Sequence, residues 1–357
     1  MTHEAGPQIL HDTVKFSFPD PDRELRGVRL HQDLVRPRNG PEFVLLPGER
    51  GWVLHFPRLD VDRMEYKLEL THPDGGSEWL CDPWNDKRVG GAFGDKSVIE
   101  FEGYESPAWL SQESPGGDIE AFEIKSRAAR ARVHGLLWSS PGAPKDQELP
   151  LLIAHDGPEY AELSALTHFL DVMVADGRLP AMRAALIAPP ADRNETYSAS
   201  AAYARAFAHD VLPRISEMAP TPHGRKMRVG MGASLGALSM LHVHRLYPAT
   251  FGALYLQSGS FFRQRFDKQE SGFSRFRRIA RFVGQVLMAN EWPHPISVSL
   301  TCGTVEENLM NNTATSDALV RQGYDLNFVV NRDAHNYTGW RDTFDPHLVD
   351  VLAKAWA

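Results

Sequence analysis

The sequence predicts a small all-β domain followed by an α/β domain whose mostly parallel sheet is flanked by helices. Three observations carry that prediction. The first third of the chain alternates apolar and polar residues over short runs, with turn-forming pieces between them and no helix-length pattern. The rest carries short continuous apolar runs, readable as buried strands, interleaved with segments of helical period. At one strand-to-helix junction stands Gly232-Ala233-Ser234-Leu235-Gly236.

In the first third, Trp52-Val53-Leu54-His55-Phe56, the run Met64 to Leu70 and the run Lys96 to Phe101 alternate like half-buried strands. Pro73-Asp74-Gly75-Gly76 and Gly90-Gly91 separate them. This pattern reads as a small β-sandwich over residues 1–110. The stretch PAWLSQESPGG, Pro107 to Gly117, reads as the connection, with 111–117 as linker. Residues 118–357 then form the α/β domain. Ile119 to Trp138 reads as its opening strands, and Ser139 to Pro144 as a hairpin-type loop within it.

Met227 to Met231 reads as a buried strand before the pentapeptide. Leu235, Leu238, Leu241 and Leu246 recur at helical spacing after it, until Pro248. Strand, G-x-S-x-G, helix is the pattern of a nucleophile elbow. The turn is so sharp that glycine is needed on either side of the serine, whose hydroxyl is left exposed. Ser234 is therefore the candidate nucleophile.

A serine hydroxyl needs a base at neutral pH. His335, in Asp333-Ala334-His335-Asn336-Tyr337, follows the strand-like run Leu326 to Val330 and fits the chain order Ser, acid, His of α/β-hydrolases. The acid belongs between them. Ile296 to Cys302 reads as a strand, and Gly303-Thr304-Val305-Glu306-Glu307-Asn308 follows it. Glu306 and Glu307 compete for that role, the other serving the dipole of the next helix, Leu309 to Arg321. Adjacent residues are not separated by this reasoning. An oxyanion hole takes the N–H of Leu235, the residue after the nucleophile, and a second N–H from an earlier loop. Leu151 to Ala154 followed by His155-Asp156-Gly157-Pro158-Glu159-Tyr160 supplies one. Pro158 has no N–H, and Gly157 is preferred over Asp156 and Glu159.

Between the strand ending near Ser258 and the strand starting at Ile296 lies an insertion of about 261–292. It carries Arg263, Arg265, Lys268, Arg275, Arg277, Arg278 and Arg281 among six phenylalanines. As a lid it would offer guanidinium and aromatic surface to planar or anionic ligands, with Arg275 and Arg278 as candidate substrate contacts. The competing reading is an amphipathic helix with a solvated basic face.

The succession HDGPEY, ADRNETYS, GMGASLGALSMLHVHRLYPATFGALYLQSGSFF, CGTVEENL and DAHNYTGWR resembles the putative-esterase branch of the α/β-hydrolases. That branch includes enterochelin (enterobactin) esterases, feruloyl esterases and S-formylglutathione hydrolases. The resemblance implies that the acid falls three residues after the glycine closing its strand, which favours Glu306 after Gly303. It implies a pocket-side Arg-x-x-Glu-Tyr segment, here only partly kept as Arg193, Glu195 and Tyr197. Asp156 and Trp340, within the matching segments, join them as candidate substrate contacts. Asp333 and Ala334 stand where the family has two glycines. The first third, with Asp82-Pro83-Trp84-Asn85, resembles the immunoglobulin-like module that precedes enterochelin esterases.

The resemblance implies a serine esterase, with a catecholate siderophore trilactone or its linear esters as first substrate class. A feruloyl-type or other aryl esterase or acyltransferase is the alternative, and a non-catalytic scaffold the third reading. No cofactor and no metal site are expected. A net charge of -8 over 357 residues gives no nucleic-acid footprint. No segment is apolar enough to span a bilayer, and the first residues lack a signal-peptide pattern. Cys81 and Cys302, the two cysteines, fall in different expected domains and suit a reducing cytoplasm. The expected partner is a small-molecule ester.

Overall fold

The computed structural model describes residues 5–35, 39–45, 51–128 and 131–357. They divide into two compact units. The first comprises Met1–Glu105 together with Gly303–Glu306 and Arg332–Gly339; the second comprises Ser106–Cys302, Glu307–Asn331 and Trp340–Ala357.

Among the described residues, the first unit contains ten strands: β1 (Gly6–Ile9), β2 (Thr13–Pro19), β3 (Gly27–Gln32), β4 (Asn39–Glu42), β5 (Val44–Leu45), β6 (Gly51–Pro57), β7 (Arg63–Thr71), β8 (Ser77–Leu80), β9 (Arg88–Val89) and β10 (Lys96–Glu100). One sheet has the order β1-β2-β6-β5. The other has the order β4-β3-β7-β10-β9, with β8 on β7. The pairings are antiparallel. Period-2 patterning puts Val14, Phe16 and Phe18 of β2 and Trp52, Leu54 and Phe56 of β6 inward. They share one hydrophobic cluster with Met64, Tyr66, Leu68 and Leu70 of β7. Ala334 belongs to the same cluster and Val305 packs against it. The turns bearing Glu306 and His335 are thus built onto this β-rich core.

The second unit is organised on an eight-stranded mixed sheet of β11 (Asp118–Ser126), β12 (Ala131–Ser139), β13 (Leu151–His155), β14 (Arg183–Ile187), β15 (Arg228–Ala233), β16 (Ala253–Gln257), β17 (Ser297–Gly303) and β18 (Asp325–Asn331). Their order is β11-β12-β14-β13-β15-β16-β17-β18. The β11–β12 and β12–β14 pairs are antiparallel. The pairs linking β14, β13, β15, β16 and β17 are parallel. Strands β13, β14 and β16 are buried at every residue, which is why they read as continuous apolar runs without alternation.

In the expected insertion, the helix Phe276–Met288 buries Phe276, Ile279, Ala280, Phe282, Val283 and Val286. Ile279, Phe282, Val283 and Val286 join the core cluster that contains Leu238, Leu241, Leu254 and Leu300. Arg277 and Arg281 lie on its exposed side. This is an amphipathic helix with a basic outer face.

On the helix Leu235–Leu246, His244 is fully buried and its Nε2 lies 3.1 Å from the Tyr324 hydroxyl. Burial, with Arg225 and Arg245 nearby, pushes its pKa from 6.5 down to about 3. A histidine depressed in this way contributes stability above its unfolded pKa. That contribution is lost as pH falls from 6.5 towards the folded value of about 3. In His244→Gln, the fall of the thermal midpoint over this acidic window should be shallower than in the wild type. Superimposable pH profiles would show that His244 does not set it.

Candidate active site

Ser234 sits between β15 and the helix Leu235–Leu246 with φ 56° and ψ −120°. Such a backbone is costly for a residue with a Cβ and persists only where its surroundings hold it. The Ser234 N–H donates to the Gln257 carbonyl at 2.9 Å, and the Ser234 carbonyl accepts from Ser260 at 3.1 Å and Leu238 at 3.2 Å. A Cβ at Gly232 would stand 2.7 Å from the Gly236 carbonyl carbon, so strand and helix approach this closely only with glycine there. Ser234 is half-buried, and its Oγ lies 3.0 Å from Ser260 Oγ.

Leu235 and Gly157 each open a helix, Leu235–Leu246 and Gly157–Leu163. N–H groups at such positions have no intrahelical acceptor. The loop that presents Gly157 turns through Asp156 at φ 52°. Arg193 clamps the Asp156 carboxylate through two bonds, Nε to Oδ1 at 2.9 Å and Nη2 to Oδ2 at 2.6 Å. His155, at the end of β13, is fully buried, and burial pushes its pKa down to about 4. Its neutral Nε2 accepts from the Tyr203 hydroxyl at 2.8 Å, leaving Nδ1 to face the Gly236 carbonyl at 3.4 Å. The ring stacks on Tyr197 at 4.4 Å. These contacts link the Gly157 loop to the helix that begins after Ser234.

In the first unit, His335 Nδ1 lies 2.7 Å from Glu306 Oε2. The other Glu306 oxygen accepts the Gly303 N–H at 2.8 Å. The Glu306 side chain is 1 % exposed and that of His335 is 29 % exposed. Glu307, the neighbour that sequence reasoning left in competition, is exposed and belongs to the second unit. A carboxylate with one oxygen fixed by a backbone amide has its second oxygen aimed, which holds an imidazole in one orientation with Nδ1 as the donor.

Several of the expected substrate contacts have partners within the protein. Tyr197 is fully buried, with the Arg193 guanidinium 5.3 Å from its ring centre. Trp340 is 7 % exposed and donates its indole N–H to Ser258 Oγ at 2.9 Å. Asp156 is 4 % exposed and is occupied by Arg193. Arg278 donates to Glu195 Oε1 at 2.6 Å and to the Glu195 and Ser198 carbonyls. Arg275 also pairs with Glu195. Hydrogen bonding from Arg278 and Arg275 holds Glu195 below the usual carboxylate range. Arg193 with Asp156, and Arg275 and Arg278 with Glu195, thus pair charged groups across loops.

Sequence reasoning missed Ser260 and Asn312. Ser258, with φ 49°, Gly259 and Ser260 follow β16. Asn312 receives the Gly259 N–H at 2.9 Å and donates to the Gly259 carbonyl at 3.0 Å. Neither residue carries a signal in one sequence, because their partners stand 26 and 53 positions away. Among the described residues, no group of three or more His, Cys, Asp or Glu side chains is arranged to hold a metal ion. None of the described helices is long and apolar enough to cross a membrane.

A family model described as putative esterase matches residues 136–353. The chain is 26% identical over 216 residues to the iron(III) enterobactin esterase of Dickeya dadantii, covering 57% of this chain and 48% of that protein. It spans about half the length of the curated relatives it matches. Among solved structures, the enterochelin esterase of Shigella flexneri superposes with a TM-score of 0.78 at 19% identity, over 99% of this chain and 97% of the other. A ferulic acid esterase superposes with a TM-score of 0.58 at 18% identity, over 67% of this chain and 99% of the other. These two likenesses show the fold: α/β, with a mixed sheet and helices. The family match extends from β12 to the last helix and takes in Ser234, Glu306 and His335, and the chain belongs to the putative esterase family.

Proposed function

We propose that this chain is a serine carboxylic ester hydrolase of the α/β-hydrolase class, preceded by an immunoglobulin-like module, in which Ser234, His335 and Glu306 act as nucleophile, base and orienting acid. The observation that carries the reading is the strained Ser234 turn between a buried strand and a helix. The family match and the Glu306–His335 hydrogen bond support it. Ser234 Oγ attacks the ester carbonyl carbon while His335 Nε2 takes its proton. Glu306 holds Nδ1–H and stabilises the imidazolium. The Leu235 and Gly157 amides stabilise the oxyanion. Imidazolium then protonates the departing alkoxide. Water, deprotonated by the same imidazole, releases the acid from Ser234.

A catecholate siderophore trilactone or its linear esters is the first substrate class. The names of the relatives support it, as does the outer basic face carrying Arg277 and Arg281. Aryl esters of the feruloyl type form the second reading. It draws on the likeness to a ferulic acid esterase and on Asp333-Ala334 in place of the family's two glycines.

A panel of enterobactin-type trilactones, feruloyl esters and p-nitrophenyl alkyl esters, with a fluorophosphonate probe for the serine, tests the assignment. Turnover with labelling at Ser234 is the expected result. A folded protein that neither turns over an ester nor takes the probe would be a scaffold. If the basic face attracts its substrate, Arg277→Gln with Arg281→Gln should lower kcat/KM for anionic esters several-fold at low salt and leave a neutral ester unchanged. The difference should shrink as salt rises, because exposed charges are screened beyond about 10 Å at 0.1 M ionic strength. Equal kcat/KM before and after substitution would leave this face as solvated surface.

A further inference from the structure

We infer that Arg63, on the first residue of β7, is a positioning residue for His335, acting through the buried carboxylate of Asp333. The inference rests on the reading of His335 as the base. Arg63 Nη1 donates to Asp333 Oδ2 at 3.1 Å, although the two residues are 270 positions apart. The other Asp333 oxygen accepts the Ala334 N–H at 2.7 Å and the Asn336 side-chain N–H at 2.8 Å. Those two groups flank His335 in the chain, so one carboxylate ties down both sides of the turn that carries the imidazole. Asn336 extends the hold by accepting the Gly339 N–H at 2.7 Å. Gly339 in turn leaves room for this carboxylate: a Cβ there would stand 2.9 Å from Asp333 Cγ.

The guanidinium is itself held from the β-rich side. Arg63 donates to Glu65 at 3.2 Å and lies 5.6 Å from the Tyr104 ring centre. Glu65 pairs with Lys96 at 3.2 Å, and Lys96 with Asp33 at 3.2 Å. Asp33, Lys96, Glu65, Arg63 and Asp333 thus form a line of alternating charge that ends at the histidine turn. Arg63 is 2 % exposed and Asp333 5 % exposed. Burial pushes the Asp333 pKa up to about 6, against the opposing pull of Arg63. A buried ion pair is a weak source of net stability, yet removing one partner strands the other. Without Arg63, Asp333 would have to protonate or draw in water, and either change slackens the turn two residues before the imidazole. Arg332 adds a second anchor, with its carbonyl accepting the Asp62 N–H at 2.7 Å and its Nε donating to Asp62 Oδ1 at 2.8 Å.

The test compares the wild-type full chain with Arg63→Met, Arg63→Lys and, as a control, Asp82→Asn. Asp82 is a buried carboxylate of the same unit, bonded to Tyr66 and the Trp84 amide. Hydrogen exchange of residues 332–339 is measured together with kcat, KM for a p-nitrophenyl ester, and the thermal midpoint. Arg63→Met should speed exchange at Ala334 to Asn336 about tenfold or more and lower kcat about tenfold or more, with KM within about twofold. Arg63→Lys, which keeps the charge, should recover part of both. If Arg63→Met does not fold, Arg63→Lys carries the comparison, with smaller shifts in the same direction. Unchanged exchange in the 332–339 segment overturns the inference. So does a fall in kcat no larger than that of Asp82→Asn at equal loss of thermal midpoint. A wild type without ester turnover or serine labelling would instead sink the esterase reading, while the exchange measurement still decides whether Arg63 holds the turn.

Discussion

Ser234→Ala is expected to lower kcat for any accepted ester by about 10³-fold or more while the protein stays folded. The magnitude follows from what is lost. Without Oγ no acyl-enzyme forms, and only binding and oxyanion stabilisation remain to help water attack directly. The fold should tolerate the change, because the strained turn is held by backbone bonds from Ser234 to Gln257, Ser260 and Leu238, none of which needs the hydroxyl. Labelling by a fluorophosphonate should vanish in parallel. Undiminished turnover on every ester would remove Ser234 from the mechanism. Loss of turnover with retained labelling would place the nucleophile at another residue.

Glu306→Gln should be nearly as damaging, with kcat down roughly 10³- to 10⁴-fold, whereas Glu307→Gln should stay within about twofold. Glutamine at 306 can keep its oxygen on the Gly303 N–H. It then presents an NH₂ group to His335 Nδ1, where the carboxylate had been an acceptor. The imidazole must answer with a bare Nδ1 and so carries its proton on Nε2. That tautomer cannot accept a proton from serine. KM should change little, since the substitution alters the base and leaves the binding surface intact. Glu307 is exposed and stands one residue further along, whereas it is Glu306 whose carboxylate meets His335 Nδ1 at 2.7 Å. A reversed ranking of the two variants would show that the Glu306–His335 bond is not the one used in catalysis.

How much of this was legible in the sequence depends on the distance over which each feature is decided. The strands of the β-rich unit announced themselves by alternation, and the buried strands β13 and β16 by continuous apolar runs, because burial on one face or two is written directly into adjacent residues. The basic insertion was less legible. Its arginines suggested a ligand surface, but helical periodicity placed Ile279, Phe282, Val283 and Val286 in the core. Arg278 was taken up by Glu195, 83 positions away. Nor was the burial of Tyr197 and Trp340 legible, because an aromatic residue in one sequence does not announce how deep it lies.

The sequence by itself determined the elbow, since glycine on either side of Ser234 and the turn it permits are steric matters settled within five residues. It determined the class of fold through periodicity, and it offered a pair of glutamates and then a histidine, in that chain order after Ser234, as candidates. Only the tertiary structure showed the Glu306 carboxylate bonded to His335, because that contact depends on which side chain faces a ring 29 positions later. Only the tertiary structure joined Arg63 to Asp333 and so tied the β-rich unit to the histidine turn. The physical reason is that local sterics and burial patterns are encoded by neighbours in the chain. The partner of a buried charge is set by where distant segments come to rest.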